Sequence, residues 1–287
     1  MELLEFFQPD TVFEAKTMLN EFNNLKLMAG GTDLVLELRR EKETPQYIVD
    51  MSKLEELKNI SEDGSNIYLG SMVTFTNIKE SGLISNNFNA LIVCSENMGS
   101  PQIRNVATIG GNIVNAGSAA DIVPCIISLE GVLVIERVDS VRKITCENYF
   151  KNYTVEKIKK NEILTKIILP KKNEKSGYYK LGKRNALAIA RVSASISLKL
   201  EANIVKNIVV CLGAVGRFPI RAYELEKRAI NENIDWLFSE EPLKFLESMV
   251  EESIKGRKTM PFKKEAIKGV YKEALRIALK SYMGVNK

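Results

Sequence analysis

The chain has 287 residues, 45% hydrophobic and 27% charged, the composition of an ordinary soluble protein long enough for two domains. Lysine and arginine exceed aspartate and glutamate by 41 to 36, and a net charge of +5 without interleaved aromatics does not suit a dedicated nucleic-acid binder. Histidine is absent, which removes Ser-His-Asp and Cys-His nucleophile systems and histidine-ligated metals, and leaves any catalysis to a cofactor.

The start, Met1-Glu2-Leu3-Leu4-Glu5, lacks the basic and apolar regions of a secretory signal. The longest apolar stretch, residues 208–215, is too short to span a bilayer, so a cytoplasmic protein off the membrane is expected. Asp10 is placed to cap a helix over 11–22, with Val12, Phe13, Ala15, Met18 and Leu19 as its apolar positions. A strand over 25–28 runs into Ala29-Gly30-Gly31-Thr32-Asp33, and a helical segment over 34–39 follows. Strands are expected at 46–51 and 67–70, and helices at 74–80 and 88–98. Gly110-Gly111-Asn112 opens a second glycine-rich turn. Asp121 then caps a helix through Leu129, with Pro124 tolerated in its first turn. Strands follow at 132–137, 141–145 and 163–169, an alternation that fits an α+β or α/β first domain.

Composition shifts at Pro170-Lys171-Lys172-Asn173-Glu174-Lys175-Ser176-Gly177, a charged stretch read as a solvated linker and domain boundary. Beyond it, residues 193–200 alternate polar and apolar, the pattern of a half-buried antiparallel strand. Residues 204–212 form its pairing partner across a turn at Glu201-Ala202-Asn203. Helices are expected at 221–230, 242–254 and 263–281. The domains are therefore 1–175, with subdomains of about 1–55 and 56–175, and 176–287. Cys94, Cys125, Cys146 and Cys211 are scattered, without the spacing that ligates zinc or an iron–sulfur cluster, and read as buried apolar residues.

The two glycine turns carry the functional signal. Adjacent glycines let successive N–H groups converge, and the missing Cβ lets a phosphate approach. Thr32 and Asn112 add side-chain donors, and two such turns suit the two phosphates of a dinucleotide such as FAD. Each pair also fits a plain tight connection, and spacing alone leaves the ligand open. Neither turn is a Rossmann fingerprint. Gly177-Tyr178-Tyr179-Lys180-Leu181-Gly182-Lys183 matches the start of a P-loop, but Arg184 stands where the magnesium-holding hydroxyl belongs.

These residues resemble the FAD-binding subunits of the molybdenum hydroxylases, the family that includes xanthine dehydrogenase and carbon monoxide dehydrogenase. Ala29-Gly30-Gly31-Thr32-Asp33-Leu34 looks like the family's first pyrophosphate loop. Thr108-Ile109-Gly110-Gly111-Asn112-Ile113, extending to Asp121-Ile122-Val123-Pro124, looks like its second, and Gly213-Ala214-Val215-Gly216-Arg217 with Pro219 and Arg221 is similar to its C-terminal signature. The resemblance implies an α+β fold: a two-subdomain FAD-binding domain of the vanillyl-alcohol-oxidase (PCMH) type, plus a smaller C-terminal α+β domain. It implies that Leu27, Met28, Ala29, Gly30, Gly31, Thr32, Asp33 and Leu34 wrap the pyrophosphate. Thr108, Gly111 and Asn112 would meet the rest of the phosphate and ribitol chain, Asp121 the cofactor's polar edge, Leu164 the adenine or ring system, and Lys180 the flavin ring. No catalytic side chain and no metal ligand is expected.

Partners follow from the same resemblance: a molybdopterin-binding large subunit and a 2Fe–2S small subunit, with electrons passing through non-covalent FAD to NAD+. A xanthine dehydrogenase-like holoenzyme is the first expectation and a nicotinate hydroxylase the second. Met98 departs from the animal-type enzymes, which place an aromatic residue against the flavin, and the insert carrying an extra iron–sulfur cluster in one branch is lacking. The competing reading is a self-sufficient flavin oxidase of the vanillyl-alcohol-oxidase type. Such oxidases often attach flavin through histidine or cysteine, and their substrate domain is usually larger; this chain has no histidine. A third, a nucleotide-binding module that has lost flavin, conflicts with intact Gly30, Gly31, Gly111, Asn112 and Asp121.

Overall fold

The computed structural model describes residues 5–40, 44–184 and 187–280. Strands β1 (Glu5–Phe7), β2 (Leu25–Met28) and β3 (Tyr47–Asp50) form a parallel sheet in the order β1-β3-β2. Parallel neighbours need crossovers, and the helices Val12–Glu21 and Leu34–Arg39 supply them. The first of these is capped by Thr11 rather than Asp10: the Thr11 hydroxyl accepts from the Glu14 N–H at 3.2 Å.

A second sheet is antiparallel, in the order β4-β5-β8-β6-β7. Its strands are β4 (Ile60–Glu62), β5 (Asn66–Gly70), β6 (Val132–Arg137), β7 (Ser140–Thr145) and β8 (Ile163–Pro170). Between β5 and β6 lies a run of short helices, among them Asn89–Asn97, Ile109–Asn115 and Ile122–Ser128. Every residue of Ile122–Ser128 is buried, so this helix is core on all sides.

The third sheet is antiparallel in the order β12-β11-β10-β9. It comprises β9 (Lys175–Leu181), β10 (Val192–Glu201), β11 (Ile204–Gly213) and β12 (Ile220–Arg221), backed by the helices Glu240–Ser253 and Met260–Lys280. The end expected for the last helix, Ser281, lies outside the described residues. The β10–β11 turn has φ of 49° at Ala202 and 65° at Asn203, the left-handed pair of a two-residue hairpin whose twist matches its strands.

Two sequence expectations change here. The charged stretch read as a linker runs straight into β9, whose Tyr178 is fully buried and whose Gly177 packs on the last helix: a Cβ there would overlap the Ala274 carbonyl. The polar face of β10 is not solvated either. Ser193, Ser195 and Ser197 are buried, and Ser195 Oγ lies 2.6 Å from Ser128 Oγ on the core helix. Small hydroxyls let the third sheet dock closely on that helix while still pairing their polar atoms.

All four cysteines are free and buried. Among the described residues no helix is long and apolar enough to cross a membrane.

Candidate functional site

The first glycine turn leaves the carboxyl end of β2, where open parallel sheets place their ligands. Gly31 has φ of 69°, a conformation that favours glycine. Val35 and Glu37 return hydrogen bonds to the Gly31 and Asp33 carbonyls. The N–H groups of Gly30, Gly31, Thr32 and Asp33, by contrast, donate to nothing else among the described residues. Consecutive unpaired N–H groups in one turn form a concavity suited to an anionic oxygen. Asp33 opens the following helix without a side-chain cap.

The second glycine-rich turn is the start of a helix. Gly110, Gly111 and Asn112 lie inside the helix Ile109–Asn115, with Thr108 as its cap. The Ile109 N–H donates to Val73, that of Gly110 to Ser71, and that of Asn112 to the Thr108 carbonyl. Gly111 N–H donates to Thr108 Oγ1 at 3.0 Å. Its first-turn donors are thus already engaged.

The glycines bring the two turns together. A Cβ on Gly30 would overlap the Val106 carbonyl, and one on Gly111 would lie 3.0 Å from Thr108 Oγ1 and 3.8 Å from Ala29 Cβ. A cavity of about 780 Å³ opens along their seam. Of the residues expected from sequence, Leu27, Ala29, Gly30, Gly31, Thr32, Asp33, Leu34, Thr108, Gly111, Asn112 and Leu164 line it. Met28, Asp121 and Lys180 do not. Met28 packs behind the first turn, its Sδ 3.7 Å from where a Gly31 Cβ would stand.

Asp121 and Lys180 meet each other instead. Lys180 Nζ lies 2.6 Å from Asp121 Oδ2, with both side chains under 10% exposed at 9% and 6%. The Tyr178 hydroxyl donates to the other oxygen at 2.7 Å. Asp121 therefore does not cap its helix with its side chain, as expected; it joins the core helix to β9 across 59 residues of sequence. Burial pushes the Asp121 carboxyl up, against the opposing pull of the Lys180 ammonium and the Tyr178 hydroxyl. Lys180 is correspondingly no surface lysine.

Sequence reasoning missed several wall residues: Ser71, Met51, Ile158, Lys159, Lys160, Glu162 and Ile163. Arg142 holds the wall around Glu162 in place. Its guanidinium meets both Glu162 oxygens at 2.9 Å, and also the Glu156 side chain and carbonyl at 2.9 Å each. Burial raises the Glu162 carboxyl, but Arg142 and the Lys159 N–H outweigh it and hold it below its ordinary value. A carboxylate lowered on folding contributes stability above its unfolded pKa of about 4.3, and loses it as pH falls through the folded value. Glu162→Gln is therefore expected to be less stable than wild type at pH 7. Thermal midpoints measured from pH 7 to pH 3 should show the gap closing on the acid side; a gap independent of pH would contradict this.

Residues 2–172 match the FAD binding domain in molybdopterin dehydrogenase, and residues 177–278 match the CO dehydrogenase flavoprotein C-terminal domain. The chain belongs to the FAD-binding subunits of the molybdenum hydroxylases. Within that family it is 31% identical over 281 residues to the nicotinate dehydrogenase FAD-subunit of Eubacterium barkeri, covering 95% of both chains. It is 28% identical to the xanthine dehydrogenase FAD-binding subunit of Escherichia coli O157:H7, covering 80% of each. In fold it superposes on the carbon monoxide dehydrogenase from Hydrogenophaga pseudoflava that lacks the Mo-pyranopterin moiety, with a TM-score of 0.88 at 23% identity, covering 97% of this chain and 98% of that one. The α+β reading of a flavin domain with a smaller C-terminal domain holds.

The cavity fits the family's cofactor. Among the described residues, four N–H groups of the first turn are unpaired and available to anionic oxygens, and the buried Ser71 Oγ and Asn112 Oδ1 on the cavity wall have no partner. Apolar side chains such as Leu27, Met98 and Leu164 supply surface for a planar ring.

Proposed function

We propose that this subunit carries electrons, through FAD in the cavity between the two glycine turns, from an N-heterocycle-oxidising molybdenum hydroxylase to NAD+. The observation that carries the reading is the pair of glycine turns closing on one cavity, one with its N–H groups unpaired. In this reading Gly30, Gly31, Thr32 and Asp33 hold the pyrophosphate, with Leu27, Met28, Ala29 and Leu34 shaping the turn. Thr108, Gly111 and Asn112 face the ribityl side, and Met98 and Leu164 keep water from the ring. Asp121 and Lys180, braced by Tyr178, fix β9 against the core helix behind this cavity wall rather than on it. Bound FAD would supply exchange of single electrons with an iron–sulfur centre and hydride transfer to NAD+.

The other redox centres lie on partners in this reading: a molybdopterin-binding large subunit and a 2Fe–2S small subunit. Names such as "FAD-subunit" among the relatives support an assembly of this kind. For the organic substrate, the nicotinate dehydrogenase likeness spans more of the chain than the xanthine dehydrogenase one, and supports a nicotinate-type ring over xanthine. We place the complex in the cytoplasm, where NAD+ is plentiful.

The alternative of a self-sufficient oxidase has less support. The chain offers no histidine for covalent attachment, and burial pushes the thiols of Cys94, Cys146 and Cys211 up, away from the reactive thiolate. The test is isolation of the tagged chain from its native cells, followed by metal analysis and assay with NAD+. Co-purifying chains containing molybdenum and iron, with nicotinate-dependent NADH formation, are expected. A tagged chain that oxidises an organic substrate alone would establish the oxidase instead.

A further inference from the structure

Beneath the second glycine turn lies a polar side chain that neither the motifs nor the fold accounts for. Ser71 follows β5 directly and is 3% exposed. Its backbone is engaged on both sides: its N–H donates to the Thr165 carbonyl at 3.0 Å, and its carbonyl accepts from the Gly110 N–H at 2.9 Å. Gly110 allows this approach, because a Cβ at that position would stand 2.6 Å from the Ser71 carbonyl oxygen and 2.7 Å from its Cβ. The Ser71 hydroxyl, on the cavity wall, is buried and has no hydrogen-bond partner among the described residues. Asn112 Oδ1, on the same wall, is in the same condition. A buried hydroxyl without a partner is unfavourable in the free chain, and its place on a ligand cavity gives it a use.

The two turns differ in what they offer a ligand. Gly30 to Asp33 present unpaired N–H groups, which suit the oxygens of a pyrophosphate. The N–H groups of Ile109 to Asn112 are engaged by Val73, Ser71 and Thr108, so the second turn has no backbone donor left for a phosphate. It offers the Asn112 side-chain amide, whose oxygen has no partner among the described residues, with the Ser71 hydroxyl beside it on the same wall. An amide oxygen needs a donor, which a pyrophosphate at neutral pH lacks and which ribityl hydroxyls and a flavin ring N–H carry.

We propose that Ser71 is a cofactor-binding residue whose hydroxyl hydrogen-bonds the flavin–ribityl half of FAD, on the wall it shares with Asn112. Two backbone hydrogen bonds hold the residue in position before the ligand arrives. The proposal rests on the reading that this cavity holds FAD.

The test is Ser71→Ala, with flavin removed from the purified chain and rebinding followed by quenching of flavin fluorescence. Loss of one neutral hydrogen bond is expected to weaken FAD binding about three- to tenfold. ADP, which lacks the flavin half, should compete equally well against both proteins. The flavin-free variant should melt at the same temperature as wild type or higher, because an unpaired buried hydroxyl has gone. Equal FAD affinity in variant and wild type would overturn the proposal, as would weakening of FAD and ADP together. A lower melting temperature of the flavin-free variant would mark the residue as structural and also overturn it. Wild-type protein that binds no FAD would instead overturn the reading of the cavity.

Discussion

Gly30→Ala is expected to lose FAD affinity by roughly a hundredfold or more and to destabilise the chain by about 3 kcal/mol. The added Cβ falls on the Val106 carbonyl, backbone against backbone, so no rotamer change relieves it. The first turn must then separate from the segment leading into Thr108, and the seam that forms the cavity opens. At roughly 2–4 °C per kcal/mol for a chain of this size, the melting midpoint should fall by about 6–12 °C. Gly111 provides the contrast. Its Cβ would meet Thr108 Oγ1 at 3.0 Å and Ala29 Cβ at 3.8 Å, a tight but side-chain contact. A bulky residue there, as in Gly111→Leu, projects into the seam and should abolish FAD retention with a smaller loss of stability. Flavin content and melting curves of both variants separate the two effects. A Gly30→Ala protein with wild-type flavin content would contradict the packing of the two turns.

Lys180→Met should destabilise the protein by about 3–5 kcal/mol, because it removes the cation from a carboxylate that is 6% exposed. Among the described residues the Tyr178 hydroxyl is then the side-chain partner left to Asp121, and burial raises its carboxyl further. A carboxyl whose folded pKa is raised binds more protons folded than unfolded. Its contribution is present below the unfolded value of about 3.9, and is lost as pH rises through the folded one. The variant should therefore be less unstable at pH 5 than at pH 8. Adding Asp121→Asn should flatten that dependence and recover part of the loss. Urea unfolding at the two pH values reads both quantities. Equal destabilisation at pH 5 and pH 8, unchanged by Asp121→Asn, would mean that the pair does not hold β9 to the core helix.

Much of this architecture is legible in the residues, for identifiable reasons. The glycine turns stand out because adjacent glycines after a strand have few uses, and the β10–β11 hairpin because alternation and a polar turn coincide. What sequence leaves hidden depends on contacts between distant segments. Asp121 sits at a helix start, where capping is the local expectation; its actual partners come from β9. The lysines flanking β9 make it read as linker, while Tyr178 and Gly177 between them face the core. The serines of β10 look solvated because alternation reports that two faces differ, and not what covers the polar one. Ser71 carries no motif at all: a lone serine after a strand becomes informative only when its hydroxyl is found buried and unpaired on a cavity wall. Likewise, the hold of Arg142 on the wall around Glu162 joins residues 20 apart across a loop, beyond any periodic signal.

The central claim is that the cavity between the two glycine turns binds FAD. Titration of the flavin-free chain with FAD, beside Gly111→Leu, tests it most directly. One FAD is expected to bind per wild-type chain, released intact by denaturation, and none to a Gly111→Leu protein that remains folded. Equal FAD binding by both proteins would place the flavin elsewhere and contradict it.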